Sequence, residues 1–213
     1  MRIVRGPDPG PFSDKTAYRP HLRPLFRSRC AYCQRPDDRL GGEDGMTVDR
    51  FKPERWYPKL ILKWSNLYYA CSICNSHYKK DYPTPEEEAK GIRFLDPCEE
   101  DLDEHFRLVR DRETGDPCRV RPLSPAAEYV VFRLKLNLRK SPRDFWRCLH
   151  HKELYLLRRQ NEIHRGLEVC SQLVRRHGPS HDVKELQTGY ESLLTASQKE
   201  LDTVRLLRPF PVE

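Results

Sequence analysis

Long apolar runs are absent from this chain. No stretch of about 18 apolar residues occurs in its 213 residues, so the sequence holds no candidate membrane-spanning helix. The opening Met1-Arg2-Ile3-Val4 lacks the apolar segment of a secretory leader, and a reducing, cytoplasmic setting is expected. An acidic excess is absent too: the formal net charge is +7, which favours a polyanionic partner. The basic excess lies in residues 1–82 and 126–213, with an acidic segment, 83–125, between them. A solvated charged surface explains the same composition, so charge alone does not choose. Apolar residues make up 37% of the chain, enough for a compact core in one or two domains.

Cysteine is well represented, and four of the eight come as two Cys-x-x-Cys pairs, Cys30-Ala31-Tyr32-Cys33 and Cys71-Ser72-Ile73-Cys74. Each pair can put two thiolates on one tight knuckle. Two knuckles brought together make a four-cysteine zinc site, structural because it leaves no open coordination position. Cys98, Cys118, Cys148 and Cys170 lack metal-like spacing and read as free thiols.

Between the pairs stand Val48-Asp49-Arg50-Phe51-Lys52-Pro53 and Trp64-Ser65-Asn66-Leu67. Met46 to Phe51 reads as a short strand. Alternation along it sends Asp49 to the face opposite Val48 and Arg50, unless the strand end re-aims one of them. Residues 54–63 read as an irregular excursion that includes a second strand. Trp64 and Leu67 anchor the core, and Asn66 sits in a turn. A helix is expected from Ser72 to Lys80, with Asn75 and Lys79 on one face and His77 pointing away from Asn75.

This stretch resembles the HNH endonuclease family, the zinc-knuckle ββα-metal nucleases. The matching residues are Cys30, Cys33, Asp49, Pro53, Asn66, Leu67, Cys71, Cys74, Asn75 and Lys79. The family's general-base histidine falls on Arg50. The resemblance implies an α+β fold, a zinc-stapled ββα-metal core followed by a mostly helical region. It implies that Asp49 and Asn75 hold one Mg²⁺ or Mn²⁺ ion, that Asn66 orients the site, and that Lys52, His77, Lys79 and Lys80 contact DNA. Arg50 cannot accept a proton, but it can hold the scissile phosphate. The implied activity is hydrolysis of DNA phosphodiester bonds. The layout most resembles the nuclease subunits of Septu-type anti-phage systems, which work beside a separate ATPase. A degenerate subunit that binds DNA or scaffolds a complex fits the Arg50 departure as well. A plain zinc-finger DNA-binding protein fits less well, given the polar set between the knuckles.

The flanking segments complete the layout. Residues 1–29 read as a basic, proline-rich arm with a short helix from Pro20. Arg19, Arg23, Arg27 and Arg29 suit either a row along a phosphate backbone or an ordinary solvent-facing arm. The resemblance is firm over 30–82 and loose over 18–140, where Leu95-Asp96-Pro97, a strand pair around Thr114-Gly115-Asp116 and a helix with Leu136-Asn137-Leu138 follow in the family's order. The domain boundaries expected are 1–29, 30–97, 98–123 and 124–213. Ser124-Pro125 and Ser141-Pro142 each read as a helix cap followed by Pro at the first helical position. From Pro142 a long helix carries Phe145, Leu149, Leu156, Ile163, Leu167, Cys170 and Val174 and stops at Gly178-Pro179. Ser180 caps a second helix with Val183, Leu186, Tyr190, Leu193, Ser197, Leu201 and Val204 as its seam. Together they form an antiparallel hairpin, suited either to a partner or oligomer contact or to packing on the core.

Overall fold

The structure, a computed structural model, describes residues 2–78 and 82–212, and only the backbone of His77, Tyr78 and Ser141. It is mixed helix and sheet. In chain order the elements are α1 (Arg19–Leu25), β1 (Met46–Arg50), β2 (Leu67–Cys71), a π-helical turn (Ile73–Tyr78), α2 (Pro85–Ala89), α3 (Leu102–His105), β3 (Phe106–Arg110), β4 (Pro117–Pro122), α4 (Pro125–Arg133), α5 (Lys140–His177) and α6 (His181–Leu207). The chain divides into two compact units, residues 1–145 with 209–213, and residues 146–208. Among the described residues no helix is long and apolar enough to cross a membrane.

In the first unit β1 and β2 pair antiparallel, with Met46 opposite Cys71 and Arg50 opposite Leu67. The second strand is therefore 67–71 and not part of 54–63. Residues 54–63 form only turns, including a 3-10 turn at Pro58–Leu60. Leu67-Tyr68-Tyr69-Ala70-Cys71 is buried at every position, so it lacks the period-two alternation that would have marked it. Tyr68 is the hub. Its ring lies 4.9 Å from Phe51 and 5.5 Å from Phe26, and the Arg5 guanidinium sits 4.5 Å above it. Its hydroxyl donates to Asp96. Each such ring contributes about 1.5–3 kcal/mol by burial.

Part of the segment 2–29 packs against this centre. Tyr18, Leu22 and Phe26 are buried, and Arg5 donates to the carbonyls of Trp64 and Leu67. The expected row of phosphate-facing arginines is largely consumed inside the unit. Arg23 pairs with Asp37 at 2.7 Å and Glu43 at 3.2 Å, Arg19 donates to the Glu43 and Met46 carbonyls, and Arg29 is buried.

A second antiparallel pair, β3 and β4, follows, with Phe106 opposite Pro122. Asn137 clamps β4 by donating to Val120 O and accepting from Val120 N. Asn137 lies in a turn between α4 and α5, not in the helix expected there, because Lys135 takes a positive φ of 49° after α4 ends. The Ser124 side chain caps α4 by accepting from Ala127 N. The long helix starts at Lys140, two residues before the expected Pro142, so Ser141 lies inside it. Helix ends commonly shift by that much.

The second unit is a helical hairpin. Gly178, at φ 78°, ends α5 after His177, and Ser180 caps α6 by accepting from Val183 N. The helices run antiparallel: Lys152 pairs with Glu200, Gln160 donates to Gln198, and Gly166 faces the Tyr190 ring. The α6 seam is Val183, Gln187, Tyr190, Leu194, Ser197, Leu201 and Val204, in alternating steps of four and three. Leu186 and Leu193, expected in the seam, are 51% and 43% exposed. Apolarity drew them in, but the 3.5-residue repeat of two wound helices passes through their neighbours. Leu156, Leu201 and Val204 form the apolar centre of the hairpin. Beside them Glu153 is buried and accepts from Arg205 and Arg208.

Candidate functional site

The four paired cysteines come together. Their Sγ atoms all lie within 4.8 Å of one another, and every one is buried. Four thiolates at the usual Zn–S length of about 2.3 Å stand about 3.8 Å apart around a tetrahedral ion, so the cluster fits zinc. Local backbone builds each knuckle. Gln34, at φ 56°, closes the first turn, with its amide donating to Cys30 O and the Cys30 amide donating to Arg35 O. In the second, the Cys74 amide donates to Cys71 Sγ. Ala31 N donates to Tyr69 O, which ties the first knuckle to β2. Burial pushes the Cys30 thiol up, whereas hydrogen bonds from the three other cysteines pull Cys71 strongly down. Four thiolates brought this close would repel one another, and a divalent cation held between them would offset that repulsion.

A guanidinium stands beside it. Arg139 Nη1 donates to Cys74 Sγ at 3.3 Å, across 65 residues of sequence. Burial alone would depress Arg139, but the charges of Cys74, Cys33 and Cys71 raise it above its ordinary value. Cys98, Cys118, Cys148 and Cys170 are free.

Next to the knuckles lies a cleft of ≈ 210 Å³, lined by Lys15, Asp49, Arg50, Phe51, Pro53, Glu54, Asn75 and Tyr82. Asp49, Arg50 and Asn75 therefore meet at one place. Asp49 is buried, and it accepts from the hydroxyl of Tyr32. Asn75 donates from Nδ2 to Thr47 Oγ1 at 2.9 Å, which leaves its carbonyl as the group suited to a cation. Thr47 and Asp49 are two apart on β1 and share a face, so one strand face supplies both a carboxylate and the tether for the amide. Asp49 and Asn75 together fit a hard divalent ion by their chemistry. β1 ends at Arg50, which re-aims that side chain into the same cleft. There its Nε donates to Ile61 O, and Nη1 pairs with Glu54 at 3.0 Å.

Asn66 lines no part of the cleft. It is buried beneath the following loop, where Oδ1 accepts from Lys52 N and Nδ2 donates to Lys52 O and Leu60 O. Its role is to fix the chain leaving β1. Lys52 is half-buried, with its ammonium 4.9 Å above the Tyr57 ring. Lys79 and Lys80 lie outside the described residues, as does the side chain of His77. Tyr32, Thr47, Glu54 and Arg139 were not singled out from sequence. Only Tyr32, placed inside a Cys-x-x-Cys pair, carried a positional hint.

No family model and no solved structure matches the chain. Among curated proteins it is similar to the Septu protein PtuB of Bacillus mycoides (strain KBAB4), at 26% identity. The match covers 44% of this chain and 38% of the relative, well under two thirds of the relative's length.

Proposed function

We propose that the chain is a metal-dependent, HNH-type nuclease of an anti-phage defence system of the Septu kind, cleaving DNA phosphodiester bonds. The observation that carries this reading is the meeting of Asp49, Asn75 and Arg50 in one cleft beside a four-cysteine knuckle. The similarity to PtuB supports the defence setting. An ATPase partner, DNA as substrate, and contacts from Lys52, His77, Lys79 and Lys80 to its backbone belong to the same proposal.

In this reading Asp49 and Asn75 hold Mg²⁺ or Mn²⁺. The bound ion would supply charge neutralisation at the phosphate and its leaving oxygen. The chain's own residues do the rest. Tyr32 and Thr47 orient the two ligands, and Asn66 fixes the adjoining loop. Arg50 offers a permanently charged fork to a phosphate oxygen. The cysteine cluster, with zinc, holds the two ends of the site in register.

A second reading, a degenerate subunit that binds DNA or scaffolds a complex, is favoured by one observation. Arg50 stands where a base would be needed and is already engaged by Glu54 and Ile61 O. Plasmid nicking with Mg²⁺ or Mn²⁺, with and without the partner ATPase, separates the two. Wild type should nick, and Asp49→Ala should lose at least a hundredfold in rate. Absence of cleavage under all these conditions supports the second reading.

A further inference from the structure

The nuclease reading leaves a water without a base, since the Arg50 guanidinium has five donors and no acceptor. We propose that Glu54 is the general base of this cleft, held in place by Arg50. The inference rests on the nuclease reading and adds a catalytic residue to it.

The residues lining the cleft narrow the choice. Lys15 offers ammonium donors and no acceptor atom. The Tyr82 hydroxyl donates to Glu88 at 2.8 Å, and burial, reinforced by Glu88, pushes it far above the ordinary phenol range. Asp49 is buried and bound to Tyr32, and it serves as the ion's carboxylate. Asn75 has no basic atom. Glu54 is the remaining carboxylate among the described cleft residues, and its side chain is 56% exposed, so water reaches it.

Its position is fixed more firmly than its exposure suggests. Arg50 Nη1 holds Glu54 Oε2 at 3.0 Å, while the same guanidinium is anchored through Nε to Ile61 O. Asn66 clamps both the amide and the carbonyl of Lys52, two residues before Glu54, and Pro53 stiffens the step between. Arg50, which cannot accept a proton, thus presents a group that can. A carboxylate joined to Arg50 by one edge keeps acceptor capacity for a water, because an ionised Glu offers several lone-pair sites.

The step balances without any oxidant or reductant. Glu54 takes a proton from a water molecule. The resulting hydroxide forms a new P–O bond, the bond from phosphorus to the leaving sugar oxygen breaks, and that oxygen takes a proton from solvent. Glu54 then returns its proton to solvent.

The test uses the full-length chain. Glu54→Gln keeps shape and hydrogen bonding but cannot take the proton, and should slow DNA cleavage about 10²–10⁴-fold. Mn²⁺ affinity by electron paramagnetic resonance and DNA affinity by fluorescence anisotropy should stay within about twofold of wild type. Added formate should restore part of the rate to Glu54→Ala and none to Asp49→Ala, a signature that a purely structural Glu54 would not give. Three results overturn the assignment. Wild-type cleavage in Glu54→Gln removes Glu54 alone. Loss of Mn²⁺ binding in Glu54→Gln makes it a ligand and not a base. A wild-type protein that binds Mn²⁺ but cleaves no nucleic acid, with or without its partner, removes the nuclease reading and Glu54's role with it.

Discussion

Tyr32 stands inside the first cysteine pair, and its hydroxyl donates to Asp49 on β1. One short segment therefore supplies two thiols to the cysteine cluster and a hydrogen bond to the carboxylate of the neighbouring cleft. Burial, more than the nearby Asp49 charge, holds the Tyr32 phenol far above its ordinary range, so it stays a donor at any working pH.

Tyr32→Phe tests this link. A buried carboxylate that loses a donor costs about 1–3 kcal/mol and is free to turn away from an ion. Divalent-ion affinity should fall roughly 10–100-fold, as for other groups that orient ligands. Titration with Mn²⁺ measures this, and zinc content should remain about one per chain. Unchanged Mn²⁺ affinity would remove Tyr32 from the site.

Arg139 makes the corresponding test for the cysteine cluster. Zinc with four thiolates carries two net negative charges, and the adjacent guanidinium offsets one of them. Arg139→Gln should speed zinc transfer to a chromophoric chelator by about 10–100-fold. Cys71→Ser should prevent stable folding altogether, because structural zinc supplies folding energy directly. A variant at Arg139 that gives up zinc no faster than wild type would make the contact incidental.

Gly166 is placed for close helix approach. A methyl there would stand 2.5 Å from Tyr190 Cζ, nearer than any ordinary contact. Helix propensity alone favours Gly→Ala by about 1 kcal/mol, while overpacking costs about 1–3 kcal/mol. Gly166→Ala should therefore destabilise the wild-type hairpin and stabilise it in a Tyr190→Ala background. Thermal melts of the double-mutant cycle read the sign, and stabilisation in both backgrounds would contradict the close approach.

Acid should act through Glu100. Burial pushes this carboxyl up, but two Arg93 hydrogen bonds at 2.7 and 2.6 Å, the Asp96 amide and the Arg93 charge bring it below its ordinary value. A carboxylate with a depressed folded pKa stabilises above the unfolded value of about 4.3 and ceases to do so as pH falls through the folded value. Arg93→Gln should cost about 1–2 kcal/mol at pH 7, allowing for the partial exposure of Arg93. That difference should shrink once the pH drops below about 4. Urea melts at pH 7 and pH 3 compare the two, and a difference independent of pH would mean that Arg93 acts by packing alone.

Local signals were the legible ones. Cys-x-x-Cys spacing, the Ser124 and Ser180 caps and the Gly178 stop are each set by a few adjacent residues, and each appears in the structure. Asp49, Asn66 and Asn75 could be picked out by resemblance, but not what each one touches. Asn66 proves to be a backbone clamp. Arg139 lies 65 residues from its cysteine and Thr47 lies 28 from Asn75, so neither leaves a pattern along the chain. β2 was misplaced because a strand buried on both faces has no alternation. The α6 seam was misplaced because Gln187 is polar and Leu186 is not, although the helical repeat selects the former.

The Asn66 clamp has a consequence for how this protein can change. By gripping Lys52 and Leu60, one buried amide closes the intervening loop at its base, with Pro53 and Glu54 just inside that base. Doubling such a loop costs only about 0.6 kcal/mol in closure entropy. Arg55 and Lys59, farther along the loop, line no part of the cleft, so an insertion between them leaves Pro53 and Glu54 at the clamped base. The outer turn can therefore vary in length while Asp49, Glu54 and Asn75 keep their places around the cleft.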